Sequence, residues 1–254
     1  MDKSIKLASF AAMVTLMSLP VSAKVSEQVV KSFDVSSSPN FSLENINGEV
    51  EIEVWNQSEI QVEANLSAAD QDELDRMSIH FDEMSNGVAV ETKYEKSRSF
   101  GNYNQTGKVN YTVKLPADTR LKHVELVNGS LSVDGVKARM ALDVVNGSIN
   151  VDGAEGNSKI QSVNGSVKVA YATFPSSLDS IELDSVNGSV KLTLPSDASA
   201  KIDVETMHGS IKNDFGLSVD KNTFIGKNLT GSIGNGDVDV SIETVNGSVK
   251  IYKQ

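Results

Sequence analysis

The chain has 254 residues, a formal charge of −11 and a pI near 4.8, with 22% charged and only 6% aromatic residues. It has no cysteine, which excludes disulfide staples, thiol catalysis, Cys-ligated zinc and a lipid-anchored cysteine. The acidity argues against nucleic acid and anionic membrane surfaces, which are gripped by clustered Lys and Arg, and favours neutral glycans, cations or basic protein patches.

Residues 1–23 read as a secretory signal: Lys3 and Lys6 form the positive start, Leu7 to Leu19 the apolar run, and Val21-Ser22-Ala23 the cleavage site. The run is short for a membrane span. Its removal leaves a mature charge of −12 and an exported chain, periplasmic or extracellular, with no membrane span.

Residues 24–115 read as a β-rich N-terminal region. A short strand is expected around Val29–Val35. Residues 41–66 alternate apolar and polar (Leu43, Ile46, Val50, Ile52, Val54, then Ile60, Val62, Ala64), the pattern of strands with one wet face. Trp55, the single tryptophan, suits a core plug or a corner. Ala68 to Arg76 is expected to form a helical turn whose acids (Asp70, Asp72, Glu73, Asp75) make a solvated face. Residues 77–94 read as a hairpin turning at Ser85-Asn86-Gly87. Residues 95–108 are a loop by composition, read either as a partnerless hairpin connection or as a ligand-gripping loop. The residues that would bind a glycan or acidic peptide there are Lys96, Arg98, Phe100, Tyr103 and Lys108.

Residues 116–254 read as a repeat array. Val-Asn-Gly-Ser occurs at Asn128-Gly129, Asn146-Gly147, Asn164-Gly165, Asn187-Gly188 and Asn246-Gly247. His208-Gly209 is a variant, and Asn47-Gly48 an early cousin in the N-terminal region. Positions 128, 146, 164, 187 and 208 are 18, 18, 23 and 21 residues apart. Four residues before the Asn stand Val124, Leu142, Ile160, Leu183, Val204 and Ile242. Three before stand Glu125, Asp143, Gln161, Asp184, Glu205 and Glu243. Four after stand Ser132, Asn150, Lys168, Lys191, Lys212 and Lys250. Fixed columns of this kind define one unit used repeatedly.

Two geometries compete. In a meander of hairpins each Asn-Gly is a tight turn, and the acids three before the Asn face the lysines four after it. In a parallel β-solenoid (a single-stranded β-helix) each unit is one coil of 18–23 residues, and Asn stacks on Asn. The identity of the columns favours the solenoid, as does a second corner at Asp134-Gly135 and Asp152-Gly153. So does the Val preceding each Asn, which a hairpin would place among acids and lysines. An 18-residue coil has a perimeter of about 60 Å, enough for two or three short faces around an aliphatic core. The fold expected is all-β, a parallel solenoid preceded by a β-rich N-terminal capping region.

The chain resembles the bacterial putative-adhesin family of β-strand-repeat domains of unknown function. The resemblance rests on Ile46-Asn47-Gly48-Glu49-Val50-Glu51-Ile52-Glu53-Val54-Trp55, on Val113-Lys114-Leu115-Pro116, on the Asn-Gly-Ser units and on Gly231 to Val238. It spans about 41–66 and 109–251. It implies an exported, β-helix-like fold and no known catalytic residues.

No catalytic constellation stands out. His80, His123 and His208 lack metal-ligand spacing. The one Gly234-Asn235-Gly236-Asp237 copy resembles a calcium-binding repeat, but that site needs successive turns. The Asn-Gly-Ser sequons are explained by turn chemistry, since Asn and Gly tolerate positive φ. The arginines (Arg76, Arg98, Arg120, Arg139) form no column. No cofactor and no metal is expected. The longer units, with Tyr171, Phe174 and Pro175 or with Phe215 and Phe224, could carry binding loops or pack against the coil. The expected function is a non-catalytic, adhesin-like interaction or structural module of the cell envelope with a protein or glycan partner. The competing readings are a polysaccharide lyase or hydrolase on a β-helix and an accessory factor in envelope-stress signalling.

Overall fold

The structure is a computed structural model that describes residues 24–95, 107–221 and 226–254. The expected signal segment lies outside them, as do Lys96, Arg98, Phe100, Tyr103 and Phe224. The N-terminal region supplies β1 (Val25–Asp34), β2 (Asn40–Asn47), β3 (Val50–Trp55), β4 (Glu59–Ala68), α1 (Gln71–Leu74), β5 (Met77–Met84), β6 (Gly87–Tyr94) and β7 (Lys108–Pro116). The repeats then come as strand pairs. These are β8 (Arg120–Asn128) with β9 (Leu131–Asp134), β10 (Met140–Asn146) with β11 (Ile149–Ala154), and β12 (Ser158–Asn164) with β13 (Val167–Tyr171). There follow β14 (Ser180–Asn187) with β15 (Val190–Leu194), and β16 (Ala200–His208) with β17 (Ile211–Asn213). After β18 (Asp220–Lys221) and β19 (Lys227–Ile233), β20 (Val238–Asn246) and β21 (Val249–Lys253) make the last pair.

The strands build two sheets. The first has the order β1-β4-β7-β3-β9-β11-β13-β15-β21-β17, the second β18-β19-β16-β20-β14-β12-β10-β8-β2-β6-β5. The two strands of each repeat lie in different sheets, so Asn-Gly is a corner between them and not a hairpin turn. Like stacks on like in parallel register: Asn128 beside Asn146, Asn146 beside Asn164, Asn164 beside Asn187 and Asn187 beside Asn246. Each such step of the stack, one strand in each sheet, is called a rung below.

The stack departs from chain order at both ends. The β2–β3 rung lies between β6–β7 and β8–β9, and β20–β21 lies between β14–β15 and β16–β17. The two sheets therefore run unbroken across residue 115. Antiparallel strands flank them: β4 on β7, β1 on β4, β5 on β6, and β19 on β16. At the N-terminal end the Lys31 ammonium sits 5.1 Å from the Phe33 ring and 4.9 Å from the Phe81 ring, tying β1 to β5.

The interior is aliphatic, as the composition demands. The residues four before each Asn (Val124, Leu142, Ile160, Leu183, Ile242, Val204) and three after (Leu131, Ile149, Val167, Val190, Val249, Ile211) are all buried. The glycine column is set by backbone approach. A Cβ on Gly147 would lie 1.8 Å from the Gly129 carbonyl oxygen, and one on Gly165 1.8 Å from that of Gly147. The expectation that the asparagines also serve positive φ is corrected, because Ser38 is the one non-glycine residue with positive φ among those described. The asparagines serve an amide ladder instead.

Other expectations change as well. The hairpin over 77–94 is present as β5 and β6. The first strand is longer than read, 25–34, and the helix is one turn capped by Asp70, whose Oδ1 accepts the Glu73 N–H at 2.8 Å. Glu73 does not belong to a solvated face: it is buried, and its carboxylate accepts the Gly107 N–H at 2.9 Å and the Ala69 N–H at 3.1 Å. The expectation of a hairpin connection over 95–108 is corrected, since the strands on either side, β6 and β7, lie in different sheets and are not paired. Trp55 takes the corner, its Nε1 donating to the Glu59 carbonyl at 2.9 Å.

Candidate docking face

The outer face of the second sheet carries the most chemically distinctive surface. Strand alternation sends the residue three before each Asn outward, and stacking then lines up Glu91, Glu44, Glu125, Asp143, Gln161, Asp184, Glu243 and Glu205. Adjacent rungs are about 4.8 Å apart. Compensation is partial: Lys93 pairs with Glu91 at 3.0 Å, and Lys159, paired with Glu182 at 2.8 Å, also lies near Asp143 and Asp184. The His123 Nε2 lies 3.1 Å from Glu125, its Nδ1 lies 3.8 Å from Asp143, and Gln161 donates to Asp184 at 3.1 Å. Partial burial outweighs the nearby His123 at Asp143 and, with the like charge of Glu125, pushes its carboxyl above the usual aspartate range.

Two residues on, the valine before each Asn also points outward, beside the acids. This overturns one reason for preferring the solenoid: the valines do share a face with charged residues. Val163, Val186, Val245 and Met207 are 41%, 42%, 37% and 52% exposed. Together with Val145 they form an apolar ladder running along the stack. Acids and valines line a groove of about 560 Å³, closed on one side by Gly226 and Lys227. The Lys227 Nζ donates to the Gly209 carbonyl at 2.8 Å, which fixes that wall.

Beyond the valines runs the asparagine ladder. Asn128 donates from Nδ2 to Asn47 Oδ1 at 3.0 Å, Asn146 to Asn128 at 3.0 Å and Asn164 to Asn146 at 2.9 Å. Asn187 donates to Asn164 at 3.0 Å and Asn246 to Asn187 at 2.9 Å. Asn47 ends the chain by donating to the Gly107 carbonyl at 3.3 Å. His208 stands next to Asn246 in the same column, as a rung without the amide.

The other candidates fall elsewhere. Lys108 opens β7 in the first sheet, away from the groove. The aromatics of the 23-residue repeat between Asn164 and Asn187 turn inward. Tyr171 is fully buried with its hydroxyl 2.7 Å from Ser158 Oγ and donating to the Gly156 carbonyl, and Phe174 packs edge-on against it. Phe215 is half-buried against the core. Among the described residues no group of His, Asp or Glu is arranged to hold a metal, and no helix is long and apolar enough to cross a membrane.

The Toastrack DUF4097 family profile matches residues 123–252, just over half of the chain. The chain belongs to the Toastrack DUF4097 family. The structure of a "putative cell adhesion protein" from Clostridium sporogenes ATCC 15579 superposes on this Toastrack protein with a TM-score of 0.55 at 15% identity, over 91% of this chain and 100% of that one. A "putative adhesin" from Bacteroides fragilis NCTC 9343 gives a TM-score of 0.37 at 11% identity, over 89% and 97%. The first likeness shows a shared fold. No curated protein matches this Toastrack chain.

Proposed function

We propose that this Toastrack protein is a non-catalytic, exported, adhesin-like interaction module of the bacterial cell envelope, and that it docks its partner along the outer face of the second sheet. In this reading residues 1–23 are its signal and 116–254 a two-faced solenoid of 18–23-residue coils. Residues 24–115 supply further strands to that solenoid and cap one end.

The observation that carries the reading is the exposed Val/Met ladder set against the acid column. Exposed aliphatics in contiguous rows mark interaction surfaces, and the acids beside them select the sign of the partner. The occupant is a protein segment or surface that sets basic side chains over the acid column and apolar ones over the valine ladder. An extended Lys–Val segment lying between the two columns does this, because strand alternation sends its lysines to one side and its valines to the other. Anionic glycan and nucleic acid are repelled by the same column.

Binding of two synthetic peptides, one alternating Lys and Val and one alternating Glu and Val, tests this by fluorescence anisotropy at low salt. The Lys–Val peptide binds and the Glu–Val peptide does not. The double variant Val186→Asn, Val245→Asn, altered only at exposed positions, weakens binding about tenfold. Equal binding of both peptides, or binding untouched by the double variant, overturns the reading.

A further inference from the structure

The columns that a hairpin meander would have paired within the chain stand on opposite outer faces of the molecule. Asp184 and Lys191 belong to one rung, Glu243 and Lys250 to the next, Glu205 and Lys212 to the one after. In each, the acid projects from the second sheet and the lysine from the first. Packed sheets lie about 10 Å apart, with these side chains pointing away from each other, so no acid of the column can reach its rung's lysine.

The lysines form a column of their own. Lys168 stacks beside Lys191, Lys191 beside Lys250, and Lys250 beside Lys212, all exposed. Among the described residues no ion pair joins these four to a carboxylate; the Lys191 ammonium lies 4.8 Å from the centre of the Tyr252 ring. Like charges on neighbouring strands repel, and the repulsion repeats at each step. Two opposite columns, each unfavourable alone, thus sit on the two flat sides of one molecule. Their spacing is the same because parallel strand pairing, with the same order of rungs in each sheet, sets both.

We propose that copies of this chain stack face to face. The first sheet of one copy lies against the second sheet of the next, with Lys191, Lys250 and Lys212 opposite Asp184, Glu243 and Glu205. This rests on the reading that the second-sheet face is a docking surface, and it names a partner for that surface: a second copy, whose lysines come at the rung spacing. A simple translation brings the columns into register over consecutive rungs, with Lys168 opposite Gln161. The exposed valines beside the acids exclude water as the faces close, which strengthens the ion pairs. The two surfaces are different, so the contact is head to tail and each added copy leaves one of each face open; it extends into a row and does not close as a dimer. The overall negative charge weakens the row, and by mass action it forms only as protein concentration rises.

A charge-swap experiment followed by sedimentation velocity tests this. The wild type self-associates as concentration rises. Lys191→Glu with Lys250→Glu makes both faces acidic, Asp184→Lys with Glu243→Lys makes both basic, and each double variant alone loses at least about tenfold in association constant. Circular dichroism shows both still folded, since all four positions are on outer faces. Mixed in equal amounts, the two variants associate again, because every contact then joins an acidic face to a basic one. A wild type that stays monomeric at all concentrations, or a mixture no more associated than its components, overturns the proposal. If the Lys–Val peptide still binds a monomeric wild type, self-stacking alone falls; if neither binding nor association occurs, the docking face falls with it.

Discussion

At the scale of single residues, the corner tripeptide divides its labour. The glycine lets neighbouring backbones approach, the asparagine side chain is a link in a one-way amide chain, and the serine adds a weaker ladder, with 3.2 Å between the hydroxyls of Ser148 and Ser166. Gly147→Ala forces a methyl into the space of the Gly129 carbonyl oxygen and is expected to cost about 3 kcal/mol, read from urea unfolding. Asn164→Ala removes one donated and one accepted hydrogen bond at an exposed site, and about 1 kcal/mol of stability with them. His208→Asn places an amide beside Asn246 and is expected to stabilise by about 1 kcal/mol through one more link. The importance of these residues was legible in the sequence as identity at fixed offsets. Their reason was legible only in part: Asn stacked on Asn was expected of the solenoid and is present, but a positive-φ turn selects Asn-Gly equally well, and that second expectation is the one the structure removes.

At the scale of the element, each repeat strand is inward-aliphatic and outward-polar, and that alternation was readable from the columns alone. The placement of the acids relative to the lysines was not. Hairpin and stack predict the same inward and outward residues and differ only in which strands become neighbours. The exposed valines were visible as an oddity in the outward phase, but their use as a surface appears only when five rungs are laid side by side. The acid column also gives the strand a pH response. Partial burial raises the Asp143 pKa in the folded state above its unfolded value, so the folded state holds its proton more tightly there. This group therefore costs stability above its folded pKa, and the cost is relieved as pH falls through that value and the native state takes up the proton. Asp143→Asn is accordingly more stable than the wild type at pH 7, and the gap narrows toward pH 3; thermal unfolding at the two pH values checks the direction.

At the scale of the whole molecule, two continuous sheets bind the N-terminal region to the repeats. The interleaving at either end, β2–β3 at one and β20–β21 at the other, had no signal in the sequence. Every rung offers its neighbours nearly the same columns, so local pattern says that rungs stack and not in what order. What decides the order is the strand flanking each end. β19 lies antiparallel on β16 and occupies the edge that the last rung would otherwise take. Removal of residues 238–254 leaves both β14 and β16 without their shared partner β20, and β15 and β17 without β21. The shortened chain is expected to lose cooperative unfolding in a denaturant titration, where removal of an end rung from a simple stack would cost only that rung.

That inserted final pair has a kinetic consequence. A chain that emerges from its amino end could zip up an ordinary stack as it goes, each new turn settling on the one before. Here the seat of β16 and β17 is separated from β14 and β15 by a gap that only the segment after residue 237 can fill. Until that segment arrives, two incomplete sheet margins wait with unsatisfied amides, and the closing step is the insertion of a keystone from the side. Slowing translation over residues 238–253 would prolong that open interval and, with it, exposure to proteases and to the margins of other nascent chains.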